Sequence, residues 1–142
     1  MVTLTQVPNN LIARIWPQVV PHLEKGRKHW EDFYGIEDFL MACIKGSMQL
    51  WVFIRDKKIT AVAFTSLLTY PKATYLRYMY AGGSDLRVWR DYAYVIENWA
   101  KAKGAVGWEI LGRDGWDRVA KRYLNHNGAL LKGSYISGKF GD

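Results

Sequence analysis

Residues 73–104 read ATYLRYMYAGGSDLRVWRDYAYVIENWAKAKG. The run from Ala73 to Ala81 has the β-branched and aromatic character of a buried strand, Gly82-Gly83 makes a tight turn, and an amphipathic helix opens near Ser84 or Asp85 and closes at Gly104. On that helix Leu86, Trp89, Ala93, Ile96 and Ala100 share one apolar face, with Tyr92 and Trp99 beside it, so it packs on a sheet. A glycine pair between a strand and a helix start gathers free backbone N–H groups at the positive end of a helix dipole, which suits a phosphate. The same pair also serves as plain turn chemistry. The order of the surrounding elements decides between the two.

Upstream, Met48 to Arg55, a turn at Asp56-Lys57-Lys58 and Ile59 to Tyr70 form a β-hairpin, and Pro71 separates it from the strand above. Three antiparallel strands thus precede the long helix. Earlier still, Val2 to Val7 alternates as a short strand and stops at Pro8-Asn9-Asn10. Leu11, Ile12, Ile15, Trp16, Val19 and Val20 recur at helical spacing, and Pro17 and Pro21 predict a broken or kinked helix. His22 to Tyr34 reads as a loop or short helix. Gly35 to Lys45 is a helix carrying Ile36, Phe39, Leu40, Cys43 and Ile44 on one face, ended by Gly46. Downstream come a strand from Val106 to Leu111 and a helix capped by Asp114. Its apolar positions are Trp116, Val119, Ala120, Tyr123 and Leu124, and Asn127-Gly128 ends it. A closing strand or hairpin spans Ala129 to Phe140. No linker or repeat interrupts residues 1–142, which read as one domain.

The composition, 49% hydrophobic and 15% aromatic over 142 residues, excludes a disordered chain and suffices for a real core. A net charge of +7 favours an anionic partner such as a phosphorylated cofactor. The basic residues are dispersed, with pairs such as Lys57-Lys58 and Arg27-Lys28 rather than a stripe, so a nucleic-acid partner is not expected. The single cysteine, Cys43, sits in an apolar helical pattern and reads as an inert buried thiol. The start of the chain has no signal-peptide pattern and no apolar run reaches the length of a membrane span, so a cytoplasmic protein without membrane contact is expected. No metal-ligand spacing, Ser-His-Asp order or paired carboxylate is present.

The order β-α-α-β-β-β-α-β-α-β, with a glycine turn after the fourth strand, resembles the GNAT family of acyl-CoA-dependent N-acyltransferases. The likeness covers nearly the whole chain in element order and is partial in motif. It implies an α+β fold in α/β/α layers, with a mixed, mainly antiparallel six- to seven-stranded sheet flanked by helices. It further implies acetyl-CoA as cofactor and an amine or protein as acyl acceptor. The family's pyrophosphate loop, Gln or Arg then x-x-Gly-x-Gly/Ala, falls on Met79-Tyr80-Ala81-Gly82-Gly83-Ser84. Met79 replaces the Gln or Arg, and Asp85 and Arg87 follow within reach of a phosphate, as does Arg90. In this fold the pantetheine arm pairs with the fourth strand where it splays from the fifth, and such backbone contacts tolerate side-chain change.

The family's tyrosine acid stands four residues before the glycine that ends the last helix. Counting back from Gly128 gives Leu124, with Tyr123 one residue away and about 100° round the helix, where the family usually places a core aromatic, so the resemblance implies that Tyr123 is packing. Glu109 is the best-placed carboxylate for a general base, and Tyr123 and Glu109 are the catalytic candidates. His22, His29 and His126 are tied to the site by no spacing. A second reading is a degenerate member of the fold kept as a binding or structural protein. Small GNAT-like proteins with eroded motifs occur among short-tailed bacteriophages, including an internal virion protein whose last helix ends in a run similar to Tyr123 to Ala129. A third reading, a basic aromatic-rich nucleic-acid binder, lacks a recognisable module. The sequence leaves a protein partner or a homodimer open.

Overall fold

The computed structural model describes residues 1–111, 130–132 and 135–140. They form a mixed α+β chain whose strands follow the order β1-β2-β3-β4-β5-β7-β6. The chain divides into two compact units, Met1–Thr65 with Tyr80–Leu86, and Ser66–Met79 with the residues from Arg87 on.

In the first unit, β1 (Val2–Gln6) pairs antiparallel with β2 (Gln49–Arg55), from Val2↔Arg55 to Gln6↔Trp51. β2 pairs antiparallel with β3 (Lys58–Thr69), with a register shift at Phe53/Ile54. The hairpin loop is Asp56-Lys57, both with positive φ (52° and 65°), the geometry that matches the twist of the flanking strands. β2 and β3 read as continuous apolar runs because both faces are covered: Leu50, Trp51, Val52 and Phe53 are buried, as are Ala61, Val62, Ala63 and Phe64.

Between β1 and β2, α1 (Ile12–Lys25) buries Ile12, Trp16, Val19 and Leu23. The break expected at Pro17 and Pro21 does not occur, and the helix is continuous through both. The two prolines lie four residues apart on the exposed side, where the carbonyls they leave unbonded face water. The stretch expected as loop or short helix contains the end of α1 and α2 (Arg27–Trp30). α3 (Ile36–Lys45) starts where the Gly35 N–H donates to Asp38 Oδ2 (2.7 Å) and ends at Gly46 in the left-handed region (φ 86°). Only Phe39 and Cys43 of its expected apolar face are buried, while Ile44 is exposed. Trp16 and Phe39 meet Phe64 of β3 at centroid distances of 6.1 and 4.9 Å. Burial raises the Cys43 thiol to about 12, which keeps it protonated and unreactive.

In the second unit, β4 (Thr74–Gly83) enters parallel to β5 (Ala105–Leu111), from Thr74↔Ala105 to Tyr78↔Ile110. Parallel neighbours need a crossover, and α4 (Trp89–Ala102) supplies it. Its buried face is Trp89, Ala93, Ile96 and Ala100, as the periodicity predicts, and Trp89 meets the Tyr78 ring edge-on at 5.8 Å. β5 pairs antiparallel with β7 (Tyr135–Lys139), which pairs with β6 (Leu130–Lys132), so the tail is a hairpin. The helix expected from Asp114, with Tyr123, Leu124 and His126, lies outside the described residues.

Candidate functional site

β4 does not stop at Ala81. It runs through Gly83 into a 3-10 turn, Ser84–Val88, and the α-helix begins at Trp89 rather than at Ser84 or Asp85. The dipole of α4 therefore starts several residues beyond the glycine pair. Both glycines are required by the protein's own packing. Gly83 has φ 127°, which a side chain rarely adopts, and a Cβ there would stand 2.7 Å from that of Ala61. A Cβ at Gly82 would stand 3.0 Å from Cζ of Tyr80, two residues earlier on the same face. The Tyr80 hydroxyl donates to the His22 carbonyl (2.9 Å), which fixes that ring against α1.

The acidic residue after the loop is committed inward. Asp85 is 3% exposed and takes a two-pronged ion pair from Arg55, Nε to Oδ2 and Nη2 to Oδ1, both 3.0 Å. Thr60 Oγ1 donates to Oδ2 at 2.6 Å, and Ser84 Oγ donates to the Thr60 carbonyl at 3.3 Å. A fork of charge-assisted bonds to a buried carboxylate pins the 3-10 turn to β2 and β3. What Asp85 offers a ligand is its backbone. Met79 and Ala81 are half-buried, and Arg87 and Arg90 are exposed.

The described β4–β5 pairing ends at Tyr78↔Ile110, and β4 continues from Met79 to Gly83. At that last pair the Tyr78 hydroxyl is buried and has no hydrogen-bond partner among the described residues. Burial, and then the negative charge of Glu97, push this phenol well above its ordinary pKa, so it stays neutral.

One register earlier, Arg77 on β4 stands opposite Glu109 on β5. Glu109 is fully buried, its Oε1 2.9 Å from Arg77 Nε. The Tyr70 hydroxyl donates to the same carboxylate, 2.8 Å from Oε1 and 3.0 Å from Oε2, and Arg77 Nη2 lies 3.4 Å from that hydroxyl. Partial burial, followed by the hydrogen bond to Glu109, raises the Tyr70 pKa. Tyr70 keeps 40% of its surface exposed, so it links this buried carboxylate to solvent. The sequence singled out Glu109 but not Arg77 or Tyr70. The alternation of Tyr75, Arg77 and Met79 with buried Leu76 and Tyr78 marks the face, but parallel register is not written in local pattern.

His22 is structural. Its Nε2 lies 3.0 Å from the Ile59 carbonyl, which can only accept, so the ring donates there and ties α1 to β3. Among the described residues no group of three or more His, Cys, Asp or Glu could hold a metal ion, and no helix is long and apolar enough to cross a membrane.

No protein-family model matches the chain, and no curated protein matches its sequence. Solved structures do. A probable acetyltransferase from Staphylococcus epidermidis superposes with a TM-score of 0.73 at 9% identity, covering 99% of this chain and 100% of that one. The PaiA N-acetyltransferase from Thermoplasma acidophilum, in complex with coenzyme A, gives 0.65 at 9% identity and 99% coverage of both chains. A GNAT-family acetyltransferase from Streptococcus agalactiae gives 0.61 at 11% identity, covering 99% of this chain and 96% of that one. At such identities the likeness is one of fold: this chain has the fold of the GNAT acetyltransferases.

Proposed function

We propose that this chain is a single GNAT-like domain, with the family's six- to seven-stranded sheet, that transfers an acetyl group from acetyl-CoA to an amine. The observation that carries the reading is the end of β4. The strand runs on from Met79 to Gly83 after Tyr78, whose buried hydroxyl has no hydrogen-bond partner among the described residues. An orphaned buried donor costs free energy unless a ligand satisfies it, and a chain of amides laid along the strand would supply acceptors. The residues present therefore fit the cofactor. Two solved relatives in fold, the Thermoplasma acidophilum enzyme and an N-acetylglutamate synthase from Neisseria gonorrhoeae, are complexes with coenzyme A.

In this reading Met79, Tyr80 and Ala81 offer backbone along β4. Gly82, Gly83, Ser84 and Asp85 offer N–H groups to the pyrophosphate, and Arg87 offers its exposed guanidinium. Met79 contributes no side-chain hydrogen bond where the family has Gln or Arg. Bound acetyl-CoA would supply the activated acyl group. The protein's part is positioning and backbone polarisation. Glu109 cannot touch an acceptor, because it is fully buried. The Tyr70 hydroxyl, which bonds both its oxygens, is placed to relay a proton to it.

A degenerate, non-catalytic member of the fold is the second reading. It is favoured by one observation, that the carboxylates of Asp85 and Glu109 are both held in ion pairs. The two part in one assay. Free thiol released from acetyl-CoA in the presence of primary amines, above the rate without protein, supports the transferase. Coenzyme A binding without thiol release supports the degenerate member. The likeness of Tyr123 to Ala129 to a virion protein falls on residues outside those described and adds nothing to either.

A further inference from the structure

α3 carries more apolar side chain than its own fold covers. Phe39 and Cys43 are buried, while Met41 and Ile44 keep 46% and 39% of their surface exposed and Leu40 is half-buried. The exposed row runs Glu37, Met41, Lys45, each four residues from the next, with Ile44 beside it, so these side chains share the side of the helix turned away from the core. Neither Glu37 nor Lys45 has an ion-pair partner among the described residues. Along the helix they stand roughly 12 Å apart, too far to pair with each other. Phe33, 80% exposed, precedes the first turn of α3. The 3-10 turn Asn9–Leu11 sits at the other end, where a Cβ at Gly46 would stand 3.5 Å from Asn9 Nδ2, and Leu11 of that turn is 38% exposed.

We propose that this row is the interface with a second copy of the chain, packed as an antiparallel pair of α3 helices about a two-fold axis at Met41. A row that reads acid, apolar, base is complementary to itself when reversed. The axis sets Glu37 of each copy against Lys45 of the other, lays Met41 on Met41 with Ile44 alongside, and carries Phe33 toward Leu11 across the pair. A basic partner would satisfy Glu37 and be repelled by Lys45, and an acidic partner the converse, whereas the reversed copy satisfies both. Antiparallel helices also set the positive end of one dipole beside the negative end of the other. One helix from each copy buries less than the ~1,200 Å² at which stable interfaces begin, so the dimer is weak and reversible. The pairing does not rest on the use of acetyl-CoA.

The test is sedimentation equilibrium of the full chain over micromolar to millimolar concentrations, where wild type should follow a monomer–dimer equilibrium. Met41→Glu, which sets two carboxylates together at the axis, should weaken the dimer about tenfold or more. Glu37→Lys and Lys45→Glu should each weaken it about tenfold, since two exposed ion pairs turn from attraction to repulsion. Glu37→Lys mixed in equal amount with Lys45→Glu should dimerise again, because the mixed pair matches every charge. No contact inside one chain can give that rescue. All three positions are exposed, and calorimetric melting of dilute samples checks that each variant is folded. Wild type that stays monomeric at every concentration overturns the second copy as occupant and leaves the row to another protein. A dimer untouched by Met41→Glu places the interface elsewhere, and single variants that fail to re-associate on mixing refute the antiparallel register.

Discussion

Tyr78→Phe removes one oxygen atom and separates stability from function. In the folded chain that hydroxyl is buried without a partner among the described residues, while in the unfolded chain water satisfies it. Such a mismatch costs about 1–3 kcal/mol. The ring itself keeps its edge contact with Trp89, so packing is retained and only a small void appears. Setting the void against the relieved desolvation leaves a net gain of about 1 kcal/mol, or about 3 °C in Tm for a chain of this length. The pH dependence follows from the raised phenol pKa. The folded state holds this proton more tightly than an unfolded tyrosine, whose pKa is about 10. Stability from this group is therefore complete below pH ~10 and is lost as pH rises through the folded value, so the wild type should weaken more steeply in alkali than the variant. Calorimetric melting at pH 7 and above pH 10 measures both. If the hydroxyl also meets the cofactor, Tyr78→Phe binds coenzyme A about fivefold more weakly while melting higher, since one hydrogen bond is worth about 1 kcal/mol. A variant that melts several degrees lower than wild type refutes the account, because the hydroxyl then has a partner.

Three further outcomes are expected. Arg77→Met removes the ion pair from the buried Glu109 carboxylate and should cost about 3 kcal/mol in urea unfolding; Arg77→Met with Glu109→Leu should recover most of it, and a double variant as weak as the single one would show the ion pair is not the cause. Arg87→Ala, at an exposed position, should leave Tm unchanged and weaken coenzyme A binding about fivefold, whereas unchanged affinity removes Arg87 from the phosphate site. Electrophoretic titration of a random DNA duplex at near-physiological salt should show no submicromolar complex, because the +7 charge is dispersed; tight binding there would promote the nucleic-acid reading over both others.

Much of the fold was legible because most elements carry their period in the chain. The buried stripe of α4, Trp89, Ala93, Ile96 and Ala100, follows from spacing alone, and so does the change to extended residues at β2. At Pro17 and Pro21 the expected break is absent, because both prolines lie on the side of the helix that faces water. At the site, the glycine pair was visible, but its cause was not. Gly83 answers to the backbone of β3, and Gly82 answers to the ring of Tyr80. That packing also changes how the loop is probed: Gly82→Val would displace Tyr80 whether or not a phosphate binds, so Arg87→Ala is the cleaner perturbation. Asp85 looked available and is paired with Arg55, 30 residues away, while Glu109 gathers Arg77 and Tyr70 through a parallel register. Contacts of that range are set by topology and leave no local mark.

The central claim is that the end of β4 holds the coenzyme A moiety. Isothermal calorimetry of coenzyme A and acetyl-CoA against the purified chain tests it most directly. The account expects saturable one-to-one binding of both, weakened by Arg87→Ala and by Tyr78→Phe without loss of folding. Absence of binding at millimolar ligand, by a protein whose cooperative melting shows it folded, would contradict it.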